Sequence, residues 1–256
     1  MNEHELLRQA YAKVTDGDST RADAWLGQSR VAWKQIEEID PRELTEEQLE
    51  PIESTLNQAR RQIDSLGRHK QWKAEIFRIL GEIQLRRSDF GAAAKFLEKA
   101  RTYLPKDTVL VERVAHVLRL GGDFSGSMAT WEALLKMAPN SEAGIVGLAD
   151  VFIQTAAYER GAARIRELIS KQAKPSAASQ FWHAELLWLM NERKEAREMY
   201  EKVLRTDPQF VRALVAMARI DIQDSNLDVA TRRLQTARSI DAENPWVYIG
   251  FGDFYR

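Results

Sequence analysis

Five of the seven prolines in this chain, Pro105, Pro139, Pro175, Pro208 and Pro245, follow one another at intervals of 34, 36, 33 and 37 residues. A period of that size means that one supersecondary unit is being copied. Small residues keep the same step. Gly81, Ala115, Ala149, Ala184, Ala218 and Gly252 are spaced 34, 34, 35, 34 and 34 apart, and Ala93, Ser127, Gly161, Ala196 and Ala230 form a second series twelve residues later. Two helices approach closely only where neither carries a bulky side chain at the crossing. The paired series therefore predicts a helical hairpin in each period.

Large apolar residues flank these crossings. Leu97, Trp131, Ile165, Tyr200 and Leu234 lie four residues after the second small position, on the same helical face. Leu80, Val114, Leu148, His183 and Met217 precede the first. Phe90, Phe124 and Tyr158 stand where the second helix of a pair should begin, whereas Arg193 and Leu227 take that place in the last two full units. Turn residues such as Ser88-Asp89, Gly121-Gly122-Asp123 and Asn191-Glu192 separate paired helices. No segment alternates in the manner of a strand.

With these positions in place, the chain resembles the tetratricopeptide repeat (TPR) family, whose helix–turn–helix unit is about 34 residues long. The best-matching unit is 74–107, through Leu80-Gly81, Phe90, Ala93, Leu97, Ala100 and Pro105. Units 108–141, 142–176, 177–210 and 211–244 follow, then a lone first helix at 245–256 whose Gly252 and Tyr255 match the small and aromatic positions. The resemblance implies an all-α fold, a right-handed α-solenoid. It also implies that first helices line a concave groove that grasps partners.

Residues 1–66 do not follow the period and read as an N-terminal helical capping module, since stacked repeats need a covered end. Leu6/Leu7, Ala10/Tyr11 and Val14 suggest a helix closed by Gly17-Asp18. A second, capped by Ser19 or Thr20, carries Ala22, Trp25/Leu26, Trp33, Ile36 and Ile39 and ends before Pro41. Thr45 and Gln48 have capping-box spacing, Pro51 is expected to break or kink the third helix, and Ile52, Leu56, Ala59, Ile63 and Leu66 make an apolar stripe. The last helix, with Trp246, Tyr248, Phe251, Phe254 and Tyr255, lacks a cap of its own. The favoured expectation is a longer natural protein; the alternatives are that this helix serves as the cap or self-associates.

Composition bears mainly on what the chain does not do. Lys+Arg number 37 against 38 Asp+Glu, which does not suit a duplex nucleic-acid binder. The acidic residues concentrate in 1–66, which carry 14 acidic and 8 basic side chains, net −6. Either two solvated surfaces differ in bias, or the acidic module docks on a basic surface in the same or a neighbouring chain. Cysteine is absent, which excludes thiolate metal sites and cysteine nucleophiles. No apolar run is long enough to span a membrane, and the first residues are not a signal peptide. The four histidines show no i, i+3 or i, i+4 pairing, and no HExxH, Walker, GxSxG or strand-linked GxGxxG motif occurs. Neither a catalytic residue, a cofactor nor a metal is expected. Gly121–Gly126 reads as a turn, His183 as a core histidine with a hydrogen-bond partner, and Glu195, Glu198 and Glu201 as a solvated face.

Carried onto this sequence, the groove-facing register selects His116 and Arg119 from one unit. From the later units it selects Phe181, Glu185, Trp188, Arg212, Arg219, Ile222 and Trp246, with Arg256 at its end. Aromatic anchors rimmed by charge are the composition of a protein-binding hot spot. The family subtype that clamps acidic chaperone tails is not matched, because its positions fall on Arg78, Glu82, Arg113, Ala143 and Gly147. The expected function is a non-catalytic interaction scaffold that receives a partner peptide or helix in the groove. The alternatives are a self-assembling scaffold, through the open C-terminal end, or a periplasmic scaffold of a secretion or polysaccharide-export system. The expected compartment is the cytoplasm, or the periplasm if a leader or anchor has been removed.

Overall fold

The computed structural model describes residues 3–18, 20–66 and 69–255, with side chains for 6–18, 20–64 and 69–255. Among them are fourteen α-helices and no strand. They are α1 (Glu3–Gly17), α2 (Ala22–Ile36), α3 (Glu46–Leu66), α4 (Lys70–Arg86), α5 (Phe90–Tyr103), α6 (Thr108–Leu120) and α7 (Phe124–Met137). The series continues with α8 (Glu142–Gln154), α9 (Tyr158–Ser170), α10 (Ala177–Leu189), α11 (Arg193–Thr206), α12 (Val211–Gln223), α13 (Leu227–Ile240) and α14 (Pro245–Phe254). Even-numbered helices from α4 onward are first helices of the repeats, and odd-numbered ones are second helices. The chain forms two compact units, Met1–Thr130 and Trp131–Arg256.

The crossings behave as the spacing requires. A Cβ added to Gly81 would lie 2.7 Å from Leu97 Cγ and 3.3 Å from the Ala93 carbonyl oxygen, so α4 and α5 meet almost backbone to backbone. At the next hairpin the Ser127 hydroxyl donates to the Ala115 carbonyl at 2.8 Å, satisfying a buried polar atom at the point of closest approach. Ala149, Ala184, Ala196, Ala218 and Ala230 have no exposed surface at all. Leu97, Ile165, Tyr200 and Leu234 fill the flanks and are equally inaccessible. Burial of each such side chain stabilises by about 1.5–3 kcal/mol. Gly252, on α14, is the exception: no atom of the described residues lies within 4 Å of its missing Cβ.

The hairpin turns repeat too. Ser88, Gly122, Ala156, Asn191 and Ser225 all have positive φ, at 59°, 80°, 52°, 64° and 62°. After each, a backbone N–H reaches back to close a Schellman turn: Asp89 to Gln84, Asp123 to Leu118, Ala157 to Phe152, Glu192 to Leu187 and Asn226 to Asp221, at 2.8–3.0 Å. Four of these five turns place a residue with a Cβ in the left-handed region. Where the next helix starts, a short polar side chain often holds it. Asp89, Asp107, Asp123, Ser141, Ser176 and Asn244 each accept from a backbone N–H two or three residues on.

In the first unit the stripe Ile52, Leu56, Ala59 and Ile63 of α3 shares one core with Ile76, Ile79, Leu80 and Ile83 of α4. Leu66, also assigned to the stripe, has a side chain outside the described residues. Arg87 extends from α4 to Glu46 and Glu53, and Arg86 donates to the Ile39 carbonyl at 2.9 Å. The same core runs from Ala22 to Val117 and so joins the non-periodic helices to the first repeats.

Four local expectations need correction or qualification. α3 is unbroken from Glu46 to Leu66 with Pro51 inside it. The ring sits in the second turn, where it removes a single backbone bond, and the Thr55 hydroxyl donates to the Pro51 carbonyl at 3.0 Å. α2 begins at Ala22 without a side-chain cap, because Thr20 bonds Asp18 instead, with its N–H 2.9 Å from Oδ1; Ser19 lies outside the described residues. α2 also ends at Ile36, three residues short of Ile39. The Thr45 box is half formed, with its N–H donating to Gln48 Oε1 at 2.9 Å.

Because an L-residue in the left-handed region costs about 1–2 kcal/mol that glycine does not incur, Ala156→Gly is expected to stabilise the fold. The gain should be roughly 1 kcal/mol, read as a higher urea midpoint at unchanged slope.

Candidate functional site

Seven of the nine residues assigned to partner binding fall in the second unit, on α10, α12 and α14. Successive first helices present equivalent positions side by side, so residues about 34 apart in sequence become neighbours. The Arg212 guanidinium lies over two indoles, 5.8 Å from the Trp182 ring centre and 5.4 Å from that of Trp246. Seven residues on, Arg219 stacks on Trp188 at 4.5 Å, and Arg193 covers the same ring at 4.9 Å. Each such cation–π contact stabilises by about 0.5–2 kcal/mol, more as water is removed. Arg193 opens α11 where earlier repeats carry an aromatic residue. There it trades ring packing for this stack.

Below the rings lies a buried polar network. Glu185 Oε1 accepts from the Tyr200 hydroxyl and from Arg219 Nη2, the latter at 3.2 Å. Burial and the adjacent Glu185 carboxylate push the Tyr200 phenol well above its ordinary value, so it remains a donor at any physiological pH. The Arg219 charge is therefore already answered inside the protein. Arg212 has no carboxylate partner among the described residues. A narrow cleft of about 20 Å³ opens beside Trp246, lined by residues that include Glu185, Arg219, Ile249 and Asp253. That is room for about one water.

The assigned residues thus separate by exposure. Phe181 is fully buried, with its ring among Tyr200, Phe210 and Trp246 at centroid distances of 5.8, 5.4 and 6.4 Å; it supports Trp246 from beneath and offers a partner no surface. Glu185 is likewise buried, and Ile222 packs partly against the core of α12, α13 and α14. Trp188, Arg212, Arg219 and Trp246 retain accessible surface. His116 and Arg119 sit on α6 in the first unit, with His116 Nδ1 and Arg119 Nη2 3.3 Å apart; Arg256 lies outside the described residues. Trp182 and Arg193 were not among the residues selected. Trp182 is one position off the groove register, and the signal for Arg193 was its charge at an aromatic position.

Comparison with solved structures bears on the fold. Over 96% of this chain and 94% of the other, it superposes with TM-score 0.70 on the C-terminal part of a TPR repeat-containing protein from Cytophaga hutchinsonii, at 9% identity. A tetratricopeptide repeat protein from Parabacteroides merdae matches over 99% of both chains, with TM-score 0.56 and 13% identity. The fold is the TPR fold. A thermophilic TPR protein of Thermus thermophilus covers 71% of this chain and 98% of its own, with TM-score 0.55 and 14% identity. No protein-family model matches the sequence, and no curated protein does. The TPR likeness therefore rests on shape and on the repeated small residues.

One TPR core position departs from expectation. His183 is buried, as its register implies, but neither ring nitrogen has a hydrogen-bond partner among the described residues. Burial, with lesser contributions from the Arg166 and Lys202 charges, pushes its pKa down from 6.5 to about 4. The folded imidazole is neutral and the unfolded one protonates first, so stability is lost as pH falls from 6.5 towards 4. The loss amounts to about 3 kcal/mol at most. His183→Met, which places there the residue found at Met217, is expected to flatten the dependence of the urea midpoint over that window. An unchanged slope against pH would assign the acid sensitivity to other groups.

Proposed function

We propose that this protein is a non-catalytic interaction scaffold, and that the wall formed by α10, α12 and α14 receives an acidic segment of a partner protein. The observation that carries this reading is Arg212. Its guanidinium is held between Trp182 and Trp246, with no carboxylate opposite it among the described residues. A cation fixed in this way has lost its side-chain freedom already, so pairing it with a ligand carboxylate costs little further entropy. Trp246 and the exposed Ile249 next to it offer apolar contact to a flanking side chain. The small volume of the cleft favours an extended peptide or one face of a helix over a small molecule. No helix among the described residues is long and apolar enough to cross a membrane.

Arg219 is not the residue to mutate, because reversing it would strand the buried Glu185. Peptides selected from a random display library on the wild-type chain should carry Asp or Glu beside an apolar residue. Arg212→Glu and Trp246→Ala should each weaken them at least tenfold, with helical circular dichroism unchanged. Selected peptides that bind both variants as tightly as the wild type would move the interaction off this wall.

A further inference from the structure

Arg212 shares its condition with a second guanidinium of the same unit. Arg193 lies over Trp188, the ring that also carries Arg219. Its hydrogen bonds run to Asn191 Oδ1, at 2.9 Å, and to Gln223 Oε1, both neutral oxygens. Two guanidiniums on one indole repel each other, and only Arg219 is answered by a carboxylate, that of Glu185. Arg193 is exposed and keeps N–H donors that no group among the described residues accepts.

The two unanswered cations stand at different heights on α12. Gln223, which receives the Arg193 bond, is eleven residues beyond Arg212. At the rise of an α-helix this separation is about 16 Å. Arg219 and Ile222 lie between them on α12, flanked by Trp188 of α10 and Ile249 of α14. An extended chain covers that distance in about five residues, a helix in about eleven. Arg219 favours the extended form. Both bonds it makes inside the protein use Nη2, which leaves Nη1 without an acceptor among the described residues, and its side chain is 28% exposed. An extended ligand has free carbonyls to offer there, whereas a helix has spent its own on internal bonds.

We infer that the ligand of this wall is an extended acidic segment carrying two carboxylates about five residues apart, one on Arg212 and the other on Arg193. This rests on the reading of Arg212 given above and adds to it a second anchor and a register. Each cation is already ordered by its indole, so each pairing costs little further entropy. Once one carboxylate is seated, the other meets its partner as an intramolecular event. Glu185 and Asp253 border the stretch between the anchors. A third acid is therefore disfavoured there, and an apolar side chain facing Ile249 is preferred.

The test is fluorescence anisotropy on the whole chain with labelled, amidated peptides that hold two glutamates three, five, eight or eleven positions apart, with Leu and Ser between. The five-position peptide should bind about tenfold more tightly than its single-glutamate counterpart. Arg193→Gln should remove that gain and leave the single-glutamate peptide, anchored on Arg212, unchanged. Arg193→Glu should in turn favour a five-position peptide with one of its glutamates replaced by lysine. Urea midpoints equal to the wild type confirm that these exposed substitutions leave the fold intact. Affinity independent of spacing, or greatest at eleven positions, would overturn the extended two-anchor register and leave the single-anchor reading standing. So would Arg193→Gln without effect where Arg212→Gln abolishes binding. Peptides indifferent to Arg212→Gln as well, or a set in which none binds, would overturn both.

Discussion

Near-contact of two backbones, once per hairpin, is the constraint from which the rest of the molecule follows. At Gly81 there is no room for a Cβ against Leu97, and at Ala115 the backbone lies within hydrogen-bond reach of Ser127. With the axes held this close, large side chains four residues away are driven into the flanking gaps, and each hairpin is fixed in one register. Within the second unit, that shared register sets Trp182, Arg212 and Trp246 side by side although 64 residues separate the first from the last. The candidate surface is a by-product of how the core closes.

Much of this is legible in the amino-acid sequence because small residues at fixed intervals admit few alternatives. The hairpins and the Thr45–Gln48 contact follow from spacing and capping chemistry. Other features are hidden for identifiable reasons. Left-handed turns at Ser88, Ala156, Asn191 and Ser225 are invisible because none of these residues is glycine, and only comparison of one repeat with the next exposes them. Pro51 does not stop α3, since a ring near the start of a helix removes one bond and no more. Phe181 satisfies the groove register, yet the neighbouring Tyr200, Phe210 and Trp246 close over it. Helical phase reports direction; depth depends on what surrounds the residue.

Arg212 and Arg219 show how two like residues on one helix acquire different roles. Arg219 reaches inward to Glu185, itself bonded to the Tyr200 hydroxyl, and so completes a buried network that would be costly to leave open. Arg212 lies between indoles and meets no carboxylate among the described residues. One guanidinium is tied into the buried network and the other rests against two rings. Composition alone treats them as equivalent.

The ion pairs within each unit also shape how a partner would arrive. Glu82 is answered by Arg113, Glu132 by Arg164, Glu185 by Arg219 and Asp221 by Arg233, each within its own unit. Opposite charges held so close cancel within a few ångströms, and the whole chain carries only −1. Each pair therefore adds little field of its own, and what long-range field the chain has comes from the imbalance between residues 1–66, at net −6, and the remainder, at +5. Salt would screen that imbalance over about 8–10 Å and leave the close pairs nearly untouched.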